Sequence, residues 1–521
     1  MPNLTIDHRH VEVPEGATVL DAARRLGIDI PALCFREGCS ASTSCLACLV
    51  RIGDDGRLVP SCATRAVEGM RVESETEAVR EARRTSLELL LSDHLGDCMA
   101  PCHLGCPAQM DIPTMLRQIA AGELREAIAT VKRDIALPAV LGRICPAPCE
   151  KTCRRGDLDA PVSICLLKRL VADVDLASSA PYSPSCEAAS GKRVAVVGGG
   201  PTGLSAAYYL AQFGHACEVF DENARPGGRL LRETTEVELP RSVIAAEAAA
   251  IERMGVVLHP DARIPPGAGL SDLRKRFDAV LLACGTAANE QASAWGLPLG
   301  QRGIQATPRT FETGTPGVFA AGGAVRGKTM IVRSVADGKE AAAAIDQFLC
   351  GMKPTGQAVP LSVKIGRMHG EELLRFAAGA TSTPRAQPAF GSATGFSCAE
   401  GVEQAARCLH CDCRGAASCK LRRYAAQYGA NTRRFKAERR VFQQDARHSE
   451  VIYEPGKCID CRLCIQIAAA AGEPLGLTFV GRGFDVRVAV PLDRSLADAL
   501  SKAAAECVAA CPTAALAWKS A

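Results

Sequence analysis

The sequence contains no run of about 18 uncharged apolar residues, the length that a membrane-spanning helix needs, so we expect no membrane insertion. Its first residues, Met1 to Asp7, lack the basic and apolar regions of a secretory signal, which predicts a cytoplasmic location with reduced thiols. A one-sided charge is also missing. The 61 basic and 57 acidic residues leave a formal charge of +4, which is too balanced for a surface that binds nucleic acid.

Side-chain combinations that catalyse reactions by themselves are missing as well. We find no Ser/His/Asp or Cys/His nucleophile arrangement and no pair of carboxylates, so catalysis by side chains is not indicated. The 521 residues exceed what one hydrophobic core usually serves, and several domains are expected. What the chain has in abundance is cysteine: 26 residues, most of them in spaced groups that are typical of iron–sulfur ligands.

The first cysteine group combines two close cysteines with a more distant one on each side. Spacers of ten, two and thirteen residues separate Cys34, Cys45, Cys48 and Cys62. Such a loop can wrap a [2Fe–2S] cluster, with two sulfurs on each iron, whereas a zinc site would normally show two close pairs. Spacing and flanking residues resemble the N-terminal ferredoxin module of the complex I large iron–sulfur subunit and of related hydrogenases and formate dehydrogenases.

The second region places candidate ligands four residues apart. They are His94, Cys98, Cys102, Cys106, Cys145, Cys149 and Cys153. The stretches 102–113 and 142–150 resemble the helical domain of the glutamate synthase small subunit and the N-terminal part of dihydropyrimidine dehydrogenase. The resemblance implies two [4Fe–4S] clusters beside a flavin. By position it assigns one cluster to Cys98, Cys102 and Cys153, and the other to Cys106, Cys145 and Cys149.

The fourth ligand of each of these clusters departs from the family pattern. For the first cluster the candidate is His94, because Leu87 to Cys98 resemble the His-plus-three-Cys site of complex I and imidazole is an accepted iron ligand. The alternative is a histidine that caps carbonyls at a helix end. For the second cluster, Cys165 either replaces the carboxylate or amide of the relatives or is a buried apolar thiol.

A glycine-rich turn joins a predicted buried strand to a predicted helix between residues 192 and 213. In this context Gly198 makes the tight turn, Gly200 lets a pyrophosphate approach the backbone, and Gly203 packs the helix on the strand. The N-terminus of the helix would then face the phosphates. The pattern therefore predicts a dinucleotide-binding domain.

The identity of the dinucleotide follows from residues further along. The next predicted strand ends in two acids, of which we prefer Asp221 to Glu222 for the ribose hydroxyls. Segments 226–229 and 315–324 resemble the FAD domain of the glutamate synthase small subunit family, which favours FAD over NAD. Family members usually carry Asp where Gly323 stands. The cofactor-binding residues predicted in this way are Gly198, Gly200, Pro201, Gly203, Asp221, Gly228 and Gly322.

The relatives interrupt this FAD domain with a second dinucleotide-binding domain, which binds NADPH. Here fewer than thirty residues separate Thr286 from Thr315, and no second Gly-x-Gly-x-x-Gly occurs between them. A nicotinamide-binding domain does not fit in that space. We therefore predict that the flavin exchanges electrons with clusters, with a partner subunit, or with nicotinamide that arrives at another surface.

Two further cysteine groups lie near the C-terminus. One half of a bacterial two-cluster ferredoxin is matched by Cys458, Cys461, Cys464 and Cys511. Ala468 stands where a ligand of the other half would be, which predicts one [4Fe–4S] cluster here. The upstream group predicts a further [4Fe–4S] cluster, a structural zinc ion, or no metal. Its members are Cys408, Cys411, Cys413 and Cys419.

The predicted fold is multidomain, α+β and α/β. It combines an N-terminal β-grasp ferredoxin, a helical two-cluster domain, a Rossmann-like FAD domain without the NAD(P)H insert, and a C-terminal bacterial ferredoxin-like domain. The predicted segments are 1–79 ([2Fe–2S] domain), 80–185 (helical domain), 190–352 (FAD domain), 353–397 (linker), 398–450 (cysteine-rich segment) and 451–521 (ferredoxin-like domain).

These motifs predict an electron-transfer subunit of a larger oxidoreductase. FAD would handle electrons two at a time and the clusters would conduct them singly. The expected partner in a hetero-oligomer is a catalytic or NADH-oxidising redox subunit, of the formate dehydrogenase, hydrogenase or NADH dehydrogenase type. One alternative is a self-contained NAD(P)H-dependent reductase. The other is a redox sensor or an iron–sulfur scaffold.

Overall fold

The computed structural model describes residues 1–53, 55–287, 291–389, 394–435 and 438–519. Contacts between Cα atoms divide the chain into two compact units. The first unit combines Met1–Met99, Pro360–Ala378 and Cys411–Ala521, and the second combines Ala100–Val359 and Gly379–His410. At the coarse level the predicted fold is confirmed, because the chain is a mixed α/β multidomain protein with a parallel, Rossmann-like sheet.

Short strands and helices alternate along the described residues. The strands are β1 (Asn3–Ile6), β2 (Arg9–Glu12), β3 (Leu49–Ile52), β4 (Arg57–Pro60), β5 (Arg71–Glu73), β6 (Arg193–Val197), β7 (Ala216–Phe220), β8 (Val257–His259), β9 (Ala279–Leu282), β10 (Val318–Ala320), β11 (Val451–Tyr453), β12 (Thr478–Val480), β13 (Arg487–Ala489) and β14 (Leu516–Trp518). The α-helices of the N-terminal part are α1 (Val19–Arg25), α2 (Glu77–Ser92), α3 (Pro101–Gly105), α4 (Ile112–Ala120), α5 (Leu124–Asp134), α6 (Pro138–Ile144), α7 (Pro148–Lys151) and α8 (Ile164–Ala177).

The remaining helices begin with the one that follows the glycine turn. They are α9 (Pro201–Gln212), α10 (Arg229–Glu233), α11 (Arg241–Glu252), α12 (Ala268–Arg276), α13 (Gly323–Arg326), α14 (Ile331–Leu349), α15 (Glu371–Phe376), α16 (Cys398–Ala405), α17 (Lys420–Gln427), α18 (Leu463–Ala470), α19 (Leu496–Ala499) and α20 (Ala504–Ala510). Short 3-10 helices occupy Arg154–Asp157, Gly285–Ala287, Pro455–Lys457, Gly483–Asp485 and Pro491–Asp493.

The N-terminal module of the first unit is a five-stranded mixed sheet around α1. The strand order is β2-β1-β5-β3-β4; β1 and β5 are parallel, and the other pairs are antiparallel. Helix α1 begins after Thr18, whose hydroxyl accepts a hydrogen bond from the Asp21 N–H while the Asp21 carboxylate accepts one from the Thr18 N–H. Val19, Ala22 and Ala23 of this helix are buried in the core of the module, and Leu26, the C-cap residue, is partly buried and packs against that core.

The C-terminal part of the first unit contains two antiparallel ribbons, β11 with β14 and β12 with β13. Its apolar core also takes in α2 and α17, through residues such as Leu87 and Tyr424. Arg83 of α2 is fully buried there and donates hydrogen bonds to the Leu49 carbonyl (2.9 Å) and the Tyr428 hydroxyl (2.7 Å). These bonds attach α2 both to the N-terminal sheet and to α17.

The second unit joins a helical part to the parallel sheet. Helices α4, α5, α6 and α8 pack on one another, and Lys132 forms a buried ion pair with Asp175 (2.6 Å). The sheet has the order β10-β9-β6-β7-β8, all parallel, with α9 and α14 packed together. The Glu247 carboxylate on α11 accepts hydrogen bonds from the N–H groups of Ala139 (2.7 Å) and Val140 (3.0 Å), so the first turn of α6 is attached to the dinucleotide-binding part.

The segment predicted as a linker, 353–397, contains regular structure. It includes α15, and residues 360–378 belong to the first unit. Within this stretch the Ile365 N–H donates to the Asp97 carboxylate (2.8 Å) and the Arg439 guanidinium pairs with Glu372 (2.9 Å). Part of the segment therefore packs into a unit.

Candidate iron–sulfur and flavin sites

The four cysteines of the first group meet in the N-terminal module. Each is at most 2% exposed, and the thiols touch in a chain in which Cys34 contacts Cys45 and Cys62, and Cys62 contacts Cys48. The loop before β3 supplies three of the thiols, and the turn that follows β4 supplies Cys62. Contact with Cys62 lowers the pKa of Cys48 to about 7, while contact with Cys34 together with burial raises the pKa of Cys45. Such a set is suited to ligands that bind iron as thiolates.

A second group of four meets in the helical part of the second unit. Its thiols lie close enough for their charges to interact, and Cys165 also contacts Cys145 directly. The group consists of Cys106, Cys145, Cys149 and Cys165. The Cys165 N–H donates to the Glu150 carboxylate (2.9 Å), and its thiol lies 3.3 Å from the Leu141 carbonyl oxygen. Cys165 thus sits beside the three cysteines that the resemblance assigns to one cluster.

Lys168 is a buried cation beside this second group. It follows Cys165 by about one turn of α8 and is 4% exposed. Burial by itself lowers the pKa of Lys168, but the charges of the four thiols outweigh burial and raise it. Sequence reasoning missed this residue, although its position three residues after a candidate ligand on a helix places both side chains on one face.

The other predicted helical-domain ligands are divided between the units. Cys98 belongs to the first unit, whereas Cys102 and Cys153 belong to the second. In the second unit the Thr152 hydroxyl donates to the Pro101 carbonyl (3.0 Å), so the residues that precede Cys102 and Cys153 are in contact. In the group near residue 410, Cys408 belongs to the second unit, and Cys411, Cys413 and Cys419 belong to the first.

His94 has a partly buried side chain in the first unit. Burial, and then the charge of Lys457, lower its pKa to about 4, so the imidazole is neutral at pH 7. Its Nδ1 atom is buried and has no hydrogen-bond partner among the described residues. The Lys457 ammonium lies 3.9 Å from the Cys413 sulfur and forms an ion pair with Glu454.

The C-terminal group is also assembled in the first unit. Its four thiols interact electrostatically with one another and are Cys458, Cys461, Cys464 and Cys511. Backbone N–H groups point at two of the sulfurs, from Asp460 to Cys458 (3.4 Å) and from Leu516 to Cys511 (3.5 Å). Hydrogen bonds of this kind stabilise thiolates that bind a cluster.

This C-terminal group lies against the loop of the first cysteine group. Ser40 exchanges two hydrogen bonds with the Gln466 side chain (2.8 and 3.1 Å), and the Ser42 hydroxyl donates to the Cys461 carbonyl (3.1 Å). The charges of Cys34 and Cys461 interact. The two candidate cluster sites are therefore neighbours, which sequence reasoning missed because the residues lie more than 400 positions apart.

The glycine turn opens onto a cavity of about 440 Å³ in the second unit. Five of the predicted cofactor residues line it: Gly198, Gly200, Pro201, Asp221 and Gly228. Gly198 has a φ of +108°, and a Cβ at Gly203 would lie 1.9 Å from the Gly198 carbonyl oxygen. Neither position tolerates a side chain, so the turn keeps α9 close to the strand and its N-terminus exposed to the cavity.

The two acids after β7 differ in their surroundings. The Asp221 carboxylate accepts hydrogen bonds from the N–H groups of Gly199 (2.5 Å) and Asn223 (2.8 Å), whereas Glu222 lines the cavity and lies 3.7 Å from the Arg263 guanidinium. Asp221 thus stabilises the glycine turn through its hydrogen bond with the Gly199 N–H. Both acids lie at the cavity wall.

Other residues of the cavity escaped sequence reasoning. Cys284, Arg229 and Lys328 line it, and burial raises the pKa of Cys284 to about 12. The Asp that family members carry at the position of Gly323 has little room, because a Cβ there would lie 3.0 Å from Gly285 Cα. The glycine cradle and the cavity fit a dinucleotide such as FAD.

Among the described residues, no three His, Cys, Asp or Glu side chains converge on the position of a single metal ion. No helix in the described ranges is both long and apolar enough to cross a membrane.

Three family models match parts of the sequence. Residues 2–77 match the 2Fe-2S iron-sulfur cluster binding domain, residues 64–180 match dihydropyrimidine dehydrogenase domain II with its 4Fe-4S cluster, and residues 165–342 match pyridine nucleotide-disulphide oxidoreductase. These matches confirm the predicted resemblances for the N-terminal, helical and dinucleotide-binding parts. The chain is therefore built from iron–sulfur domains and an oxidoreductase domain of the flavin and nucleotide class.

Similar proteins are subunits of larger oxidoreductases. The chain is 36% identical over 226 residues to the NADP(+)-dependent formate dehydrogenase subunit beta of Moorella thermoacetica, covering 39% of this chain and 32% of that protein. It is 34% identical over 207 residues to the NADPH-Fe(3+) oxidoreductase subunit beta of Geobacter sulfurreducens, covering 39% and 31%. It is 35% identical over 225 residues to the NAD-dependent dihydropyrimidine dehydrogenase subunit PreT of Escherichia coli O157:H7, covering 43% and 51%. The chain thus spans about a third to a half of the length of these relatives.

Proposed function

We propose that this chain is an electron-transfer iron–sulfur flavoprotein subunit of a larger cytoplasmic oxidoreductase. It passes electrons between FAD, several clusters and a partner subunit of the formate dehydrogenase, hydrogenase or NADH dehydrogenase type. The observation that carries the proposal is the packing of the Cys34 group against the Cys461 group, because two cluster sites in contact form a path for single electrons. The names of the similar subunits support the same class of function.

The proposed ligands follow the cysteine groups. One [2Fe–2S] cluster is bound by Cys34, Cys45, Cys48 and Cys62. One [4Fe–4S] cluster of the helical part is bound by Cys106, Cys145, Cys149 and Cys165. The C-terminal [4Fe–4S] cluster is bound by Cys458, Cys461, Cys464 and Cys511. The residues His94, Cys98, Cys102, Cys153, Cys408, Cys411, Cys413 and Cys419 supply ligands for the remaining sites. Thiols that contact one another or interact electrostatically support these assignments for the first three groups.

FAD is proposed to occupy the cavity at the glycine turn. When bound, it supplies two-electron chemistry and exchanges those electrons one at a time with clusters. The chain's own residues position it: Gly198 and Gly200 admit the pyrophosphate, the N-terminus of α9 faces its charge, and Asp221 stands beside the ribose. Gly203, Gly228 and Gly322 keep the surrounding backbone close, and Pro201 begins α9 at the cavity wall.

The finer domain description is part of the same proposal. A five-stranded mixed sheet on one helix supports a β-grasp ferredoxin at 1–79. Helices around the Cys106 group support a cluster domain at 80–185, and the parallel sheet supports an FAD domain at 190–352. The ribbon of β11 and β14 beside the C-terminal thiols supports a ferredoxin-like domain at 451–521.

The test is anaerobic purification of the full chain, followed by analysis of iron, sulfide, zinc and flavin. We expect FAD, iron and sulfide, and we expect no rapid bleaching of the flavin when micromolar NADH or NADPH is added to the chain alone. Rapid bleaching would support the self-contained reductase instead. Three results would contradict the proposal. They are zinc in place of iron, the absence of a yellow chromophore, and labile clusters in a chain that shows no turnover with any partner.

A further inference from the structure

We propose that His94, Cys98, Cys413 and Cys419 together hold one iron–sulfur cluster in the first unit. The ligands would come from two segments separated by more than 300 residues. This inference rests on the proposed function, since it assumes that the chain binds clusters. It differs from the assignment by resemblance, in which Cys98 shares a cluster with Cys102 and Cys153, and from a closed site made of residues 408–419.

The backbone between residues 361 and 363 connects the two segments. Its Val363 N–H donates to the Cys98 sulfur (3.4 Å), and its Val363 carbonyl accepts from the Cys98 N–H (3.3 Å). Two residues earlier, the Leu361 carbonyl accepts from the Arg422 side chain (2.9 Å). The Arg422 N–H in turn donates to the Cys419 sulfur (3.4 Å). Cys98 and Cys419 are therefore both linked by hydrogen bonds to the same short backbone segment, residues 361–363.

Cys413 lies near both of these cysteines. The charges of Cys413 and Cys98 interact, and Cys419 interacts with both. Hydrogen bonds from backbone N–H groups to Cys98 and Cys419 favour the thiolate forms that bind iron. Three thiols thus approach one another although their spacing in the sequence does not suggest it.

His94 supplies a fourth donor with an unused nitrogen. Its Nδ1 is buried without a hydrogen-bond partner in the described part of the chain, and a buried polar atom of this kind is costly unless it binds something. Gly96 separates the imidazole from Lys457: a Cβ on Gly96 would lie 3.1 Å from His94 Nε2 and 3.0 Å from Lys457 Cε. The ammonium of Lys457 lies 3.9 Å from the Cys413 sulfur, which brings His94 to the side of the three thiols.

A buried cation next to the site fits a charged cluster. Lys457 is 4% exposed and is balanced by Glu454 on one side and by Cys413 on the other. A cluster with three thiolates is anionic, and a buried positive charge beside it stabilises that anion. We expect a His-plus-three-Cys cluster to bring together an unpartnered imidazole, three thiols and a cation, and these groups lie near one another here.

Pairwise replacement of cysteines tests which residues share a cluster. The full chain is purified anaerobically as three single variants, Cys98→Ser, Cys413→Ser and Cys102→Ser. Two double variants combine Cys98→Ser with each of the other two changes. Iron per chain and the electron paramagnetic resonance spectrum after reduction are measured. We expect Cys98→Ser and Cys413→Ser each to lose the same signal and about four iron atoms, and their double to lose no more than either single variant.

The opposite pattern overturns the inference. If the losses of Cys98→Ser and Cys413→Ser add to about eight iron atoms, the two residues belong to different clusters. If Cys98→Ser and Cys102→Ser each remove the same signal, and the double variant removes no further signal, the assignment by resemblance is correct. A wild-type chain without iron would instead contradict the proposed function itself, so the two failures are distinguishable.

The His94→Cys variant covers the case in which the cysteine variants fail to fold. This variant keeps four ligands, so we expect the iron content to stay at the wild-type level. The signal that is lost in Cys98→Ser should change shape here, and its midpoint potential should fall, because a thiolate adds a negative charge that imidazole does not. An unchanged signal and potential would remove His94 from the site. His448→Cys, at a buried histidine that is hydrogen-bonded to the Leu500 carbonyl, is the matched control and should leave that signal unaltered.

Discussion

At the scale of single residues, the buried ammonium of Lys168 sets the electrostatics of the Cys106 group. The Lys168→Met variant keeps most of the side-chain volume but removes the charge, so the reduced cluster loses a stabilising interaction. At a separation of about 6 Å and an effective dielectric constant of about 20, we expect the potential to fall by on the order of 100 mV. A potentiometric titration followed by electron paramagnetic resonance measures this shift.

The control for that variant is an exposed lysine of the same unit. Lys353→Met makes the same change of charge in solvent, where screening reduces its effect to a few millivolts at most. Equal shifts in both variants would show that the potential responds to net charge rather than to the cation beside the thiols. A loss of iron in Lys168→Met would show that the lysine is needed for assembly.

Several residues at this scale were predictable, and others were not. The four cysteines of the first group and those of the C-terminal group follow local spacings, because a loop of fixed length brings nearby thiols to one cluster. The roles of Glu247 and Lys168, and the charge interaction between Cys98 and Cys413, depend on packing between distant segments. Spacing carries no information about such pairs, and a buried charged residue cannot be distinguished from an exposed one without the fold.

At the scale of elements, local sequence patterns account for several short strands and helices. Strands β1, β3 and β5 and helix α1 each form where the short-range apolar pattern favours them. The helical pattern between Ile112 and Lys132 divides into α4 and α5, because Gly122 interrupts it with a φ of +79°. The order within 353–397 could not be predicted, since that stretch packs through hydrogen bonds to distant residues rather than through its own periodicity.

Helix α6 depends on a carboxylate from another element. It begins with Pro138 and has no side-chain cap of its own, and Glu247 accepts the hydrogen bonds of its first two free N–H groups. Removing this acceptor in Glu247→Ala leaves buried donors unpaired, which costs about 1–3 kcal/mol. We expect a lower Tm for the variant in thermal unfolding, while Glu252→Gln at an exposed position of α11 should unfold as the wild type does.

The same carboxylate makes stability depend on pH. Burial raises the pKa of Glu247 from 4.5 to about 7, so the folded state holds this proton more tightly than the unfolded state. The stability that this proton provides is therefore present below pH 4.5 and decreases as pH rises towards 7, by up to about 3 kcal/mol. Glu247→Gln does not titrate, so its Tm relative to wild type should rise between pH 5 and pH 7. A constant difference across this range would contradict the raised pKa.

At the scale of the whole molecule, each unit contains more than one of the predicted functional parts. The first unit holds the Cys34 group, the C-terminal group and the three thiols near His94, while the second holds the Cys106 group and the flavin-type cavity. The order of motifs along the chain therefore differs from their grouping in space. Sequence reasoning predicted the motifs, whereas the packing of Cys98 against Val363 depends on a distant segment that local spacing does not reveal.

The contact of the Cys34 group with the Cys461 group predicts a magnetic interaction between the two clusters. In the fully reduced chain, we expect the [2Fe–2S] signal to be split or to relax faster than in a chain where the neighbouring cluster is missing. The Cys511→Ser variant, which removes a proposed ligand of that neighbour, should restore a slowly relaxing signal. Cys39→Ser replaces a thiol in the same loop that does not belong to the four-cysteine group, and it should keep the wild-type behaviour.

The hydrogen bonds between the two sites offer a finer test of the same path. Gln466→Ala removes the two bonds to Ser40 while leaving all eight cysteines of both groups in place. If these bonds hold the loop of the [2Fe–2S] site against the C-terminal group, electron exchange between the clusters should slow in pre-steady-state reduction, without loss of iron. Two results together would show that electrons leave the [2Fe–2S] site by another route. The rate of electron exchange would be unchanged in Gln466→Ala, and the [2Fe–2S] signal would be unaltered in Cys511→Ser.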